Sequence, residues 1–204
     1  ALRSGSTSIG VNIAATGHAD IGSAVSGSLL NIDVASLTAG NLTGDGLVTI
    51  DAASLNLGNV TSTNQSVTVN ATNGNIVALS LNANIGIAAT TSSGLINVGT
   101  ASSGTGTILT GQAVTLNSGT AGSGIIAAGG AIDLDATGGI AFGSLSAAQA
   151  FTADAGGNIS FTSAAGDSVI LRATGKITGG DIDASTDSLS GNVAVLNAGG
   201  SISA

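Results

Sequence analysis

Along most of the chain, apolar and polar residues alternate for about five positions, stop at a cluster of glycine, asparagine and serine, and begin again. Val11-Asn-Ile13-Ala-Ala15, Leu30-Asn-Ile32-Asp-Val34, Val48-Thr-Ile50-Asp-Ala52 and Val67-Thr-Val69-Asn-Ala71 share one template: apolar, polar, apolar, variable, small. Val114-Thr-Leu116-Asn-Ser118, Ile132-Asp-Leu134-Asp-Ala136 and Val169-Ile-Leu171-Arg-Ala173 follow it too, with Ile170 breaking the polar slot. Phe151-Thr-Ala153-Asp-Ala155-Gly-Gly-Asn-Ile159-Ser-Phe161 returns as Ala194-Val-Leu196-Asn-Ala198-Gly-Gly-Ser-Ile202-Ser-Ala204. A period of two predicts strands with one buried face.

Neighbouring copies lie roughly 18 or 19 residues apart, the spacing of one turn of a coil stacked on copies of itself. Between copies runs a second pattern, as in Gly138-Gly-Ile140-Ala-Phe142-Gly-Ser-Leu145 and Gly175-Lys-Ile177-Thr-Gly-Gly-Asp-Ile182, which gives about three short strands per coil. Glycine and asparagine between the runs are expected to supply the positive φ of tight turns. The expected fold is all-β: a parallel β-helix solenoid, taken as right-handed, of ten or eleven coils at about 4.8 Å rise. Residues 1–204 read as one repeat domain, an excerpt of a longer repeat region or a subunit that stacks end to end, because no cap is visible at either end.

Composition narrows the interior. The chain has 33 Gly, no Pro, Cys, Met, Trp or Tyr, and three Phe, so its core is built from small aliphatic side chains. No window of helix formers is long enough to nucleate a helix. A mean hydropathy of +0.52 and regular Val, Ile and Leu placement speak against disorder. Phe142 and Phe161, 19 positions apart, are expected to stack inside the core, with Phe151 on another wall. No apolar run here is long enough to span a membrane, and no segment joins a basic n-region to an apolar h-region and cleavage site, as expected of a mature fragment.

Charge excludes some partners. Three Lys and Arg stand against eleven acidic residues, all of them Asp, so a polyanion such as nucleic acid finds no basic stripe. The fourth template position reads Ala14, Asp33, Asp51, Asn70, Asn117, Asp135, Asp154, Arg172 and Asn197, predicted to form an outward column. Asp33 over Asp51 and Asp135 over Asp154 would repel each other, and Arg172 beside Asp154 or a bound Ca²⁺ would offset that. These four aspartates are the calcium candidates. The main expectation for the column is a solvated acidic face, because the glycine-rich nonapeptide of calcium-binding β-rolls is missing.

Catalysis is not expected. Asp133 with Asp135, or Asp181 with Asp183, would serve as acid and base of a polysaccharide-cleaving β-helix, but the aromatic, Arg and Lys residues that surround such carboxylates are lacking. His18 is the single histidine and completes neither a zinc site nor a catalytic triad. The second template position reads Asn31, Thr49, Thr68, Thr115, Asp133, Thr152 and Ile170, too mixed for a regular ice-binding lattice. Sequons occur at Asn41, Asn59, Asn64, Asn70 and Asn158.

The apolar-x-apolar-x-Ala turns, the Ala155-Gly-Gly-Asn158-Ile159-Ser160 and Ala136-Thr-Gly-Gly139-Ile140 segments, and the scarcity of Lys, Pro and aromatics resemble the filamentous-haemagglutinin-type and autotransporter-passenger β-helices of Gram-negative bacteria. The resemblance implies a secreted or surface-anchored fibrous adhesin, exported unfolded and meeting a receptor or glycan on another cell. The family's Asn-Pro secretion motifs are absent from this Pro-free chain, and it has no Arg-Gly-Asp tripeptide, so neither an export signal nor a receptor site carries over. The reading is a rigid spacer or filament shaft without enzymatic activity. A glycan- or ice-binding surface is the alternative.

Overall fold

A computed structural model describes residues 2–4, 10–104, 106–111, 113–121, 131–147, 150–184 and 193–204. Every strand pairing among these residues is parallel, and the strands join into one 20-stranded sheet wound as a β-solenoid. No helix occurs among the described residues.

Each coil has three walls. The first is a short straight strand such as Val48–Ala52 or Val67–Ala71, whose burial alternates through its length. The second and third are the two halves of a longer strand, such as Leu55–Ser62 or Ile76–Ala83, bent in the middle. At the bend the pairing skips one residue per coil. Leu57 pairs with Ala78 and Asn59 with Ser80, leaving Gly58 and Leu79 between them at the corner.

Glycine recurs at this corner for reasons of space. A Cβ on Gly58 would lie 2.6 Å from the Gly40 carbonyl oxygen in the coil below, and one on Gly99 would lie 2.5 Å from the Leu79 oxygen. Neither glycine adopts the left-handed φ expected from the sequence. Where glycine stands, successive backbones approach too closely for a Cβ, whereas the level of Leu79 accepts a side chain at the same corner.

The interior is a set of ladders. Leu30, Val48, Val67 and Ile87 stack through registered pairs on the first wall, with Ile32, Ile50, Val69 and Ala89 beside them, and all are buried. Apolar positions on the three walls converge on one shared core, and the burial of these side chains is the main source of stability. Phe142 and Phe161 stand on the second wall and stack, while Phe151 comes in from the first wall with its ring centroid 5.1 Å from Phe142, tilted by 58°. Buried hydroxyls tie the turns. Ser26 donates to the Leu29 carbonyl, Ser62 to Gly46 and Thr91 to Gly74, at 2.7, 2.7 and 2.8 Å. No buried side-chain polar atom among the described residues lacks a partner.

The repeat is less even than its template suggests. On the first wall the registered column runs Ala14, Asp33, Asp51, Asn70, Thr90, Thr110, Asp135, Asp154, Arg172, Asn197, a stack of ten strands. Its steps are 18 to 20 positions, except from Thr110 to Asp135 and from Arg172 to Asn197, which are 25. Val114-Thr-Leu116-Asn-Ser118 does not belong to this wall. Val114 and Leu116 pair with Ile96 and Val98 below and with Ile140 and Phe142 above, on the second wall. Asn117 therefore falls at the bend, and Thr115 pairs with Asn97 and Ala141. The longer step had slipped the register by one wall.

Candidate functional site

Among the described residues the pockets are open grooves on the walls, so the candidate sites are the outward faces. Period-two alternation sends positions two and four of each first-wall strand to solvent. Registered stacking then places like positions one above another.

The four predicted aspartates fall as two neighbouring pairs. Asp33 is registered with Asp51, and Asp135 with Asp154. Each pair has found a donor on the next coil. The Asn70 side-chain amide donates to Asp51 Oδ1 at 3.2 Å. The Arg172 guanidinium reaches both carboxylate oxygens of Asp154 at 3.3 Å. Asp133 adds a third carboxylate to the upper group, two residues from Asp135 on the same face. Partial burial pushes the Asp133 carboxyl above its ordinary value, and the charges of Asp135 and Asp154 push it further. Asp135 is raised by burial and then by Asp154. Burial leads both shifts, and carboxylates crowded on a wall where one guanidinium serves the outermost add to it.

These donors make a poor calcium cage. Calcium takes six to eight oxygens. Among the described residues, no group of three or more His, Cys, Asp or Glu side chains is placed to hold a metal. The upper pair has already given both oxygens of Asp154 to Arg172.

His18 is less isolated than the sequence suggested. Its Nδ1 lies 2.8 Å from the Ser36 hydroxyl on the next coil, above a shallow groove that also takes in Thr38, Ser54 and Asn75. Of the sequons, Asn41, Asn59, Asn64 and Asn158 are exposed and Asn70 is half-buried. The Asn158 side chain accepts a hydrogen bond from the Lys176 backbone N–H at 2.8 Å. Thr63 and the Asn64 amide both donate to Asp45.

The most regular outward face was not foreseen. On the third wall one registered column reads Asn41, Asn59, Ser80, Thr100, Ser118 and Ser144, and the column two residues on reads Thr43, Thr61, Asn82, Ser102, Thr120 and Ser146. Every position is an uncharged hydroxyl or amide over six consecutive levels. Between the columns, Leu42, Val60, Leu81, Ala101 and Leu145 point inward and are buried. The Asn59 amide donates to Asn41 Oδ1 at 2.9 Å, and Ser80 donates to Asn59 Oδ1 at 2.8 Å, so part of the ladder is joined side chain to side chain. The pattern was present as Asn41-Leu-Thr43 and Asn59-Val-Thr61, 18 positions apart, but it lies between the template copies from which the repeat was aligned.

Comparisons of the chain with protein-family models, with curated proteins and with solved structures find no match. What defines the protein is therefore its class, a parallel β-solenoid with polar ladders on its walls.

Proposed function

We propose that this chain is a rigid shaft segment of a secreted or surface-anchored bacterial fibre, holding a binding element away from the cell that makes it. The observation that carries the reading is the first-wall column, in which ten strands stand in parallel register although coil length varies from 18 to 25 residues. A stack that tolerates such insertions while keeping its walls in line is suited to length and stiffness. The sequence resemblance to fibrous adhesins points the same way, and with it come an extracellular location and a receptor or glycan as partner.

A structural role is preferred to catalysis because of what surrounds the carboxylates. Asp133 and Asp135 share one face with Asp154 and Arg172, and all three Phe are buried, so a sugar ring finds no aromatic platform beside them.

Electron microscopy of the purified chain tests the shaft directly. Ten strands at about 4.8 Å predict rods about 50 Å long. Compact spheres would rule the shaft out. Antibody labelling of intact producing cells tests the location, and labelling only after permeabilisation would exclude a surface fibre.

A further inference from the structure

The rod's charge is spread unevenly over its walls. Asp33, Asp51, Asp133, Asp135, Asp154 and Arg172 all stand on the first wall. From Asn41 to Ser146 the two registered columns of the third wall hold no charged residue, although the chain carries a net charge of −8; two coils further on the same columns reach Asp181 and Asp183. We propose that this third wall binds a neutral linear polysaccharide laid along the rod. The inference rests on the reading of the chain as an extracellular shaft and supplies that shaft with a partner of its own.

Side-chain chemistry selects the partner. Hydroxyls and amides both donate and accept hydrogen bonds without carrying charge, which is also the chemistry of a sugar hydroxyl. A polyanion meets no basic group here, and a polycation is better served by the acidic first wall. The two columns lie about 6.6 Å apart along the strand, and their levels repeat at about 4.8 Å along the axis. A periodic polymer can therefore engage several levels at once, so that contacts that are weak singly add up through effective concentration. The links from Ser80 to Asn59 and from Asn59 to Asn41 hold those side chains in place beforehand and reduce the ordering cost of binding.

Other occupants fit less well. Six levels about 29 Å long with columns about 6.6 Å apart make a strip on the order of 200 Å², well short of the ~800 Å² per partner of a stable protein interface, and serine is depleted at such interfaces. A second copy of the chain is disfavoured on both counts. An ice surface asks for identical groups at identical height, whereas one column here passes from Asn59 to the shorter Ser80 and on to Thr100.

The test mixes the intact chain with insoluble cellulose, insoluble β-1,3-glucan and insoluble α-glucan, with cross-linked polygalacturonate as the acidic counterpart, and measures the fraction sedimented. Retention by at least one neutral polymer and not by polygalacturonate is expected. The triple variant Thr43→Val, Thr61→Val, Thr100→Val keeps side-chain volume and β propensity while removing three hydroxyls, and should weaken retention at least about tenfold with an unchanged circular dichroism spectrum. The first-wall pair Thr49→Val, Thr68→Val should leave retention unchanged. Four outcomes overturn the proposal: retention by none of the neutral polymers, equal retention by the acidic one, indifference to the third-wall variant, or inhibition of ice recrystallisation without polysaccharide binding. Micrographs of the same preparation separate the two readings. Rods that bind no polymer sink this inference alone, while an absence of rods sinks the shaft and with it the wall.

Discussion

Phe142 lies over Phe161 in the next coil, with ring centroids 5.1 Å apart and planes 15° from parallel. Phe151 closes on Phe142 from the first wall, so all three phenylalanines gather in one cluster that spans two neighbouring coils. Phe142 touches both other rings, which makes it the centre of the cluster.

Phe142→Ala should therefore cost about 3–5 kcal/mol, the range for emptying a packed aromatic site. A double-mutant cycle of Phe142→Leu and Phe161→Leu should give a coupling of about 0.5–1.5 kcal/mol beyond burial. Urea unfolding at neutral pH reads both. Strict additivity would mean that the rings are merely neighbours in the core.

Gly58→Val should destabilise by about 1–3 kcal/mol, because its Cβ meets the Gly40 carbonyl oxygen at 2.6 Å and backbone has to move. Leu79 occupies the same corner column one coil up, and its side chain is 67% exposed. Leu79→Ala removes exposed surface and should change stability by no more than about 0.5 kcal/mol. The contrast between the two, measured by thermal melting, separates a steric corner from a tolerant one.

The aspartate cluster gives stability a pH dependence of unusual sign. Asp133 and Asp135 have folded pKa values raised above the ordinary 3.8, so the folded chain binds their protons more readily than the unfolded chain does. Their contribution to stability must then fall as pH rises through the window from 3.8 to the raised values, and recover on acidification. Asp133→Asn should stabilise the protein at pH 7 and flatten that dependence, with a gain of no more than about 1 kcal/mol for such an exposed group. A melting temperature that drops steadily for wild type and variant alike between pH 7 and 4 would contradict this.

Calcium should leave the melting temperature unchanged. Each aspartate pair offers two carboxylates against the six to eight oxygens the ion takes, and Arg172 holds one of them. A rise on adding millimolar Ca²⁺ that chelator reverses, and that Asp33→Asn or Asp154→Asn abolishes, would place an ion on this wall.

Much of the architecture was legible because solenoid geometry turns sequence spacing into contact. Residues 18 or 19 apart touch, which is why Phe142 and Phe161, Asp135 and Asp154, and Arg172 and Asp154 were found together as read. The reading slipped where the coil lengthened. Ile87-Ala-Ala89-Thr-Thr91 and Thr107-Ile-Leu109-Thr-Gly111 carry the first wall at two levels but break the template with Ala88 and Ile108 in the polar slot, so Val114 to Ser118 stood in for them in the alignment. Glycine was assigned to corners correctly and for the wrong reason, since backbone crowding between coils leaves no trace in a single sequence. The third wall was missed because serine, threonine and asparagine look like linker until register sets them side by side.

In the stack, the bonds between neighbouring coils point along the rod, so tension applied at its two ends pulls each of them open lengthwise. The coils should then let go one after another and not slide as a block, each release trading a rise of about 4.8 Å for some 60 Å of extended chain. A shaft built this way yields in instalments under load and can rewind onto the coils that remain.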